Sequence, residues 1–463
     1  MKVKIIHTND LHGHLEHWPV IRKFIKDRQI TYNNDNIPCL TIDVGDAMDT
    51  VHPMVEASSG QIMVDCFNEI PYDMVTLGNN EGLNFGQETL AQHYAQAKFE
   101  VIISNLLSLK SQSVLEWAKP YTIRRINDKT IAFIALTAPY KTYELNGYQI
   151  IQPLEAIRSM IDQINQYETN IDTIILLSHL GLPTDRLIAE EFPEISLILG
   201  AHTHHVLFEG EHINKTLLAA AGRYGDFVGE VTLEFQTDGQ IYSQAQVFAI
   251  NQLANEYGMD ITQDQYYKAG QTLLNQRIVG QLDRPYYALD TESPNSFIQL
   301  ALDAISWSTE VDLAMLNTGL FLIDLPAGNV SKKDLHEALP HPMHLSKLTL
   351  TGEHLIELLD EISSQVEDLQ FKLINGLGFR GKIFGEVIFK GIRFDRVNYQ
   401  WLVKDRPIDF DKVYQIITVD HLWFLPFFPT INQHANPQLI FPDFIRHTLE
   451  KYIKHLNQTN NDV

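Results

Sequence analysis

Seven side chains in this sequence have the chemistry to hold metal ions: Asp10, His12, Asp46, Asn79, His179, His202 and His204. They fall in five short loops, residues 7–13, 43–46, 78–81, 178–181 and 200–204. Carboxylate and amide oxygens together with neutral imidazoles suit a pair of divalent cations roughly 3.5–4 Å apart that share one carboxylate and leave a position open for water and substrate. Asp46 is the candidate for the shared carboxylate. Such a donor set fits Mn, Zn, Fe or Co, and the lack of thiolates argues against a closed structural zinc site. A water or hydroxide between the cations, its pKa lowered toward ~7, would be the nucleophile of a two-metal hydrolase.

Each loop follows a short apolar run rich in strand-forming residues: 3–6, 39–42, 74–77, 174–177 and 195–199. The candidate ligands therefore sit just past strand ends, where a rigid sheet aims flexible loops at one crevice. A single Asp or His in that position is ordinarily a cap or turn residue. Seven of them on five strand ends argue for a site. Asn105, after the apolar run 101–103, is a further candidate that serves equally well as a cap.

The loops resemble those of the 5'-nucleotidase and UDP-sugar hydrolase branch of the calcineurin-like metallophosphoesterases. Gly222-Arg223-Tyr224-Gly225 is similar to that family's glycine-aromatic-glycine stretch, and residues 292–304 and 328–352 look like the opening of its C-terminal domain. The resemblance implies an α/β fold with a four-layer β-sandwich flanked by helices over 1–250 and a second α/β, 5'-nucleotidase-type substrate domain over 283–463. The polar stretch between them, 251–282, reads as a partly helical connector. The resemblance assigns Asp10, His12, Asp46 and His204 to one metal, and Asp46, Asn79, His179 and His202 to the other. It implies a dimetal phosphohydrolase acting on nucleotides or related small phosphates.

One motif departs from the family. Gly-Asn-His-Glu-Phe-Asp is replaced by Gly78-Asn79-Asn80-Glu81-Gly82-Leu83, so the imidazole that assists the leaving oxygen and the carboxylate that orients it are both absent. Asn80 can donate a hydrogen bond to a phosphoryl oxygen but cannot deliver a proton at neutral pH. His14, His52 and His205 are the nearby candidates for a replacement acid. Without one, pyrophosphate bonds, cyclic esters or activated aryl esters become alternative substrates, and a catalytically silent nucleotide-binding protein is a further alternative. In the second domain the resemblance points to Phe379, Phe384, Phe424, Phe427 and Phe428 as candidate rings for a nucleobase. Asn317 lies in a loop that lacks the family's Arg, leaving Arg380 and Arg393 as the nearest cations.

At 463 residues the chain exceeds one core, and its 44% hydrophobic content is that of a globular protein. The balance of 58 acidic to 35 basic residues, a net charge of −23, excludes nucleic acid and anionic membranes as partners and leaves small phosphates to be drawn in by the metals. Residues 2–6 form a strand with no signal-peptide pattern before it, which reads as a cytoplasmic protein. Cys39 and Cys66 read as small core residues. Expected helices cover 19–29, 60–69, 88–98, 153–167 and 295–306, expected strands include 312–316 and 387–394, and the polar tail after His455 reads as frayed.

Overall fold

The computed structural model describes residues 1–168, 170–374 and 378–461, with side chains through 459. The chain divides into two compact units, Met1–Gly270 and Gln271–Val463.

The first unit is built on two six-stranded sheets. In one, the order is Ile241–Ala249, Phe227–Phe235, Lys2–Thr8, Cys39–Asp43, Met74–Thr76 and Glu100–Ile102; in the other it is Glu211–Ile213, Thr216–Ala219, Ile195–Gly200, Thr173–His179, Lys129–Thr137 and Tyr121–Ile126. Strand periodicity sorts the side chains into layers. Ile175 and Leu177 join Val3, Ile5, Leu40, Ile42, Leu197 and Leu199 in a dry cluster between the sheets. Their neighbours Ile174 and Leu176 point the other way, against the helices that cover that sheet. Helix Pro153–Tyr167 shows why such a segment docks: a proline opens it, and Ala156, Ile157, Met160, Ile161 and Ile164 form one buried stripe. Trp18, Ile21, Phe24 and Ile25 of helix Trp18–Asn34 cover the opposite sheet together with Met63, Val64 and Phe67. The result is the expected layering of helices, sheet, sheet and helices.

The second unit has a five-stranded sheet, ordered Val387–Lys390, Ala314–Asn317, Val413–Val419, His344–Thr351 and Gln438–Phe444. Its core gathers the apolar faces of helices Phe297–Thr309 and Gly352–Ser364.

Three expectations change. The 251–282 stretch is not a separate connector: helix Ile250–Tyr257 buries Ile250, Leu253 and Ala254 in the first unit, whereas Ile278–Leu282 pairs with Gly328–Ser331 in the second. The run at 387–394 is two strands, broken at Gly391 with φ +75°. The tail after His455 continues helix Ile445–Asn461. Both cysteines are free thiols; burial pushes that of Cys39 up to about 12. Among the described residues no helix is long and apolar enough to cross a membrane.

A buried polar knot fixes the first sheet. The Glu230 carboxylate, 1% exposed, accepts from Lys4 Nζ (2.8 Å), Tyr32 Oη (2.6 Å) and Gln246 Nε2 (2.9 Å), tying three strands to the first helix. Removing a donor from a buried charge costs more than a neutral hydrogen bond. Tyr32→Phe is therefore expected to lower the stability of the first unit by about 1.5–3 kcal/mol in urea denaturation.

Candidate metal centre

The first two candidate ligand loops, which follow neighbouring parallel strands, are drawn together by backbone bonds. Asp10 N–H donates to Gly45 O, His12 N–H to Asp46 O and Gly13 N–H to Ala47 O, all at 2.9 Å. Gly45 (φ +87°) and Gly78 are packed so closely that a Cβ on either would collide with the other loop. Glu81, 1% exposed, locks that approach: its carboxylate accepts from the backbone N–H groups of Asp46 (3.0 Å), Met48 (2.9 Å) and Gly78 (2.9 Å). Asp10, His12, Asp46, His202 and His204 all have φ between +47° and +73°, a left-handed conformation that is uncommon for such residues and concentrates at functional sites.

Six of the seven side chains form two clusters, Asp10 with His12 and His204, and Asp46 with His179 and His202; within each the coordinating atoms lie within 4.8 Å of one another. Asp46 faces both. Its Oδ2 is 3.3 Å from His179 Nε2 and 3.8 Å from His12 Nε2, while its Oδ1 accepts from Asn80 N–H at 2.7 Å. Asp10 Oδ1 lies 3.5 Å from His204 Nε2 and 3.7 Å from His12 Nε2, and its Oδ2 accepts from Asn9 Nδ2 at 2.8 Å. His179 Nδ1–H donates to Val44 O at 2.7 Å, which turns the lone pair of Nε2 inward; that buried nitrogen has no hydrogen-bond partner. The seventh residue, Asn79, likewise has a buried Oδ1 with no partner. Two orphaned acceptors beside carboxylates spaced 3.3–3.9 Å from imidazole nitrogens suit cations with bonds of about 2.0–2.2 Å.

Residues 3–206 match the family described as calcineurin-like phosphoesterase, and residues 278–423 the 5'-nucleotidase C-terminal domain. The uncharacterized metallophosphoesterase YunD of Bacillus subtilis is 33% identical over 97% of this chain and 98% of its own. The chain belongs to the calcineurin-like metallophosphoesterases. A 5'-nucleotidase of Vibrio cholerae is 23% identical, covering 85% of this chain and 82% of that one. The fold is shared with a putative 5'-nucleotidase from Staphylococcus aureus in complex with alpha-ketoglutarate, with a TM-score of 0.68 at 16% identity over 99% of this chain and 97% of that one. The protein is thus a metal-dependent phosphoester hydrolase that uses divalent ions.

The electrostatics of the metallophosphoesterase centre call for cations. Burial acts to lower the His179 imidazole, but the charges of Asp46 and Asp10 outweigh it and hold it up at about 9; burial is likewise overcome at His12 by Asp10, Asp49 and Asp46. These imidazoles hold protons that metal binding would displace. Burial, then the Asp46 charge, push Glu81 up to about 7. The sequence alone assigns no role to Glu81, Asn9 or Asp49, because each also bonds or faces a segment distant in the chain: Glu81 the amides of Asp46 and Met48, Asn9 the backbone of Ala221 and Gly222, and Asp49 the His12 ring.

The side chain of Asn80 is committed within the centre, at 3.0 Å from His12 Nδ1 and 3.2 Å from Asn79 Nδ2, instead of standing free as a phosphoryl donor. His52 is spent as a cap: its Nε2–H donates to Asp264 (2.9 Å) and its Nδ1 accepts from Met54 N–H (3.1 Å). His205 is exposed and bonds Thr203. His14 Nδ1–H donates to Glu16 at 2.6 Å, and its ring lies 4.1 Å from that of Tyr224. Asn105 bonds the Thr137 backbone at both its amide atoms, a structural role.

In the second unit, Phe379 has neither face open. It is 4% exposed and stacked against the rings of His341 (5.2 Å, 3°) and His421 (5.0 Å, 11°), which removes it as a platform for a base. Asn317 is buried, with Nδ2 donating to Phe384 O at 2.7 Å. Phe384 and Phe428 are core residues, and Phe427 is half-buried edge-on to Phe384. Phe424 is exposed, stacked on Trp423. Arg393 pairs with Asp405, whereas Arg380 is half-buried and gives its backbone N–H to His341 Nδ1 at 2.9 Å.

Two outcomes follow. Glu81→Gln leaves backbone donors unmatched behind Asp46 and is expected to weaken divalent-metal affinity about 10–100-fold, read by metal titration, with the far-UV spectrum unchanged. Burial depresses His341 to about 3 and His421 to about 4, so both are neutral when folded and take up protons on unfolding once the pH falls below about 6.5. Stability of the second unit is expected to fall from pH 6.5 to 4 by up to about 1.4 kcal/mol per pH unit for each His. His421→Phe, which leaves no hydrogen bond broken among the described residues, should flatten that slope in calorimetry.

Proposed function

We propose that this metallophosphoesterase is a 5'-nucleotidase-like enzyme that hydrolyses phosphate monoesters of nucleotides at a dinuclear centre. One cation is held by Asp10, His12, Asp46 and His204 and the other by Asp46, Asn79, His179 and His202. The observation that carries this reading is Asp46 Oδ2, which faces the imidazoles of both clusters. The cations supply Lewis acidity toward the phosphoryl oxygens and activation of a water nucleophile.

The chain's own groups do the positioning. Val44 O fixes the tautomer of His179, Asn80 N–H holds Oδ1 of Asp46, and Glu81 anchors the Asp46 backbone. Arg223 lies over the Tyr224 ring, with Nη1 3.3 Å from His204 Nδ1, exposed where it can meet a phosphate oxygen. The committed amide of Asn80 offers no proton to the leaving oxygen. That observation favours a second reading, in which diphosphate, cyclic or aryl esters with better leaving groups are preferred.

The test is phosphate release by metal-stripped protein reloaded with Mn, Zn or Co, across AMP, a UDP-sugar, cyclic nucleotides and an aryl phosphate. Metal-dependent release from AMP, lost in Asp46→Asn with the fold retained, is the expected result. Activity confined to diphosphate or cyclic linkages would replace the first reading by the second. Asn80→His, which places an imidazole at the leaving-group side, is expected to raise kcat for AMP more than for the aryl phosphate.

A further inference from the structure

The second unit carries a separate group of metal-ligating side chains, His354, Glu357 and His434. His354 and Glu357 lie three residues apart on helix Gly352–Ser364 and so share a face. His434 is the last residue of helix Pro429–His434. The two imidazoles stack, with centroids 3.9 Å apart and planes 8° from parallel, and His434 Nε2 is 3.9 Å from Glu357 Oε2. One donor atom from each of the three lies within 4.8 Å of the others.

The positions of these groups are set by bonds that do not involve them. Thr430 N–H donates to Glu361 Oε2 at 3.4 Å, and Gln365 Nε2 donates to Phe427 O at 2.9 Å, so the two helices are already tied side by side. Thr351 Oγ1 meets His354 Nδ1 at 3.0 Å and leaves Nε2 without a partner among the described residues, the arrangement by which an outer group orients an imidazole for coordination. No Lys or Arg pairs with Glu357 among the described residues; its ionic neighbour is His434. The imidazoles are partly exposed, so turning one ring out of the stack aims both lone pairs at a common ion without disturbing the core.

We propose that His354, Glu357 and His434 form a binding site for one divalent transition cation of the zinc class, with water completing its shell. Two imidazoles and one carboxylate favour zinc, nickel or copper over magnesium or calcium. The ion clamps helix Pro429–His434, and with it the aromatic residues Trp423 to Phe428 just before it, to helix Gly352–Ser364.

The test compares metal-free full-length protein with His354→Ala, His434→Ala and the isosteric Glu357→Gln, using zinc alone as the probe. Wild type is expected to bind one more zinc per chain than any variant at micromolar free zinc, by equilibrium dialysis and elemental analysis. Zinc should also slow hydrogen exchange of the amides at 430–435 several-fold in wild type and not in the variants. Metal-dependent phosphoester hydrolysis should be retained in all four, which separates this site from the dinuclear centre. Equal zinc counts in wild type and Glu357→Gln, or exchange at 430–435 indifferent to zinc, would overturn the proposal.

Discussion

The Glu81 carboxylate is the interaction on which the candidate metal centre depends. By collecting the amides of Asp46, Met48 and Gly78 it welds two loops that leave adjacent strands, and it does so behind the residue that faces both ligand clusters. A buried carboxylate that accepts three backbone bonds has its acceptor capacity well used, whereas the same amides without it would be buried donors in search of partners. The tight meeting of Gly45 and Gly78 is the steric half of the same device. Asp46 is consequently held from its backbone, and its side chain is left to the imidazoles and Asn80.

The rest of the first unit serves to keep that arrangement in place. Parallel pairing sets strands Lys2–Thr8, Cys39–Asp43 and Met74–Thr76 in register, so the loops that follow them emerge at one rim. Strands Thr173–His179 and Ile195–Gly200 do the same in the other sheet. The dry cluster between the sheets fixes the rims against each other, and this is why residues from opposite sheets, such as Asp46 and His179, approach within 3.3 Å.

The candidate ligands were legible in the sequence because each follows an apolar run whose strand character is local, and because two chemistries, strand end and metal donor, coincide five times. What was not legible depends on the fold. Glu81 acts on amides 30 or more residues earlier as well as on its own turn, and nothing in its neighbourhood announces that. Left-handed backbone at Asp10, His12 and Asp46 has no sequence mark, since these are not glycines. Phe379 was readable as an aromatic residue but not as a covered one, because the histidines stacked against it come from distant segments. The second unit's boundary was misplaced for a similar reason: 251–282 looks uniformly polar, yet its two ends join different cores.

The strand order of the first sheet sets a timetable for synthesis. Lys2–Thr8 lies between Cys39–Asp43 and Phe227–Phe235, and Lys2 pairs with Glu234, a residue made long after it. The amide at Tyr224 that bonds Asp10 O also belongs to this late segment. During translation the loop at 7–13 must therefore wait, with one edge of its strand open, until the chain through Phe235 has emerged. Closure of that sheet is accordingly a late event on the nascent chain, and the open edge of Lys2–Thr8 is the surface that needs shielding in the interval.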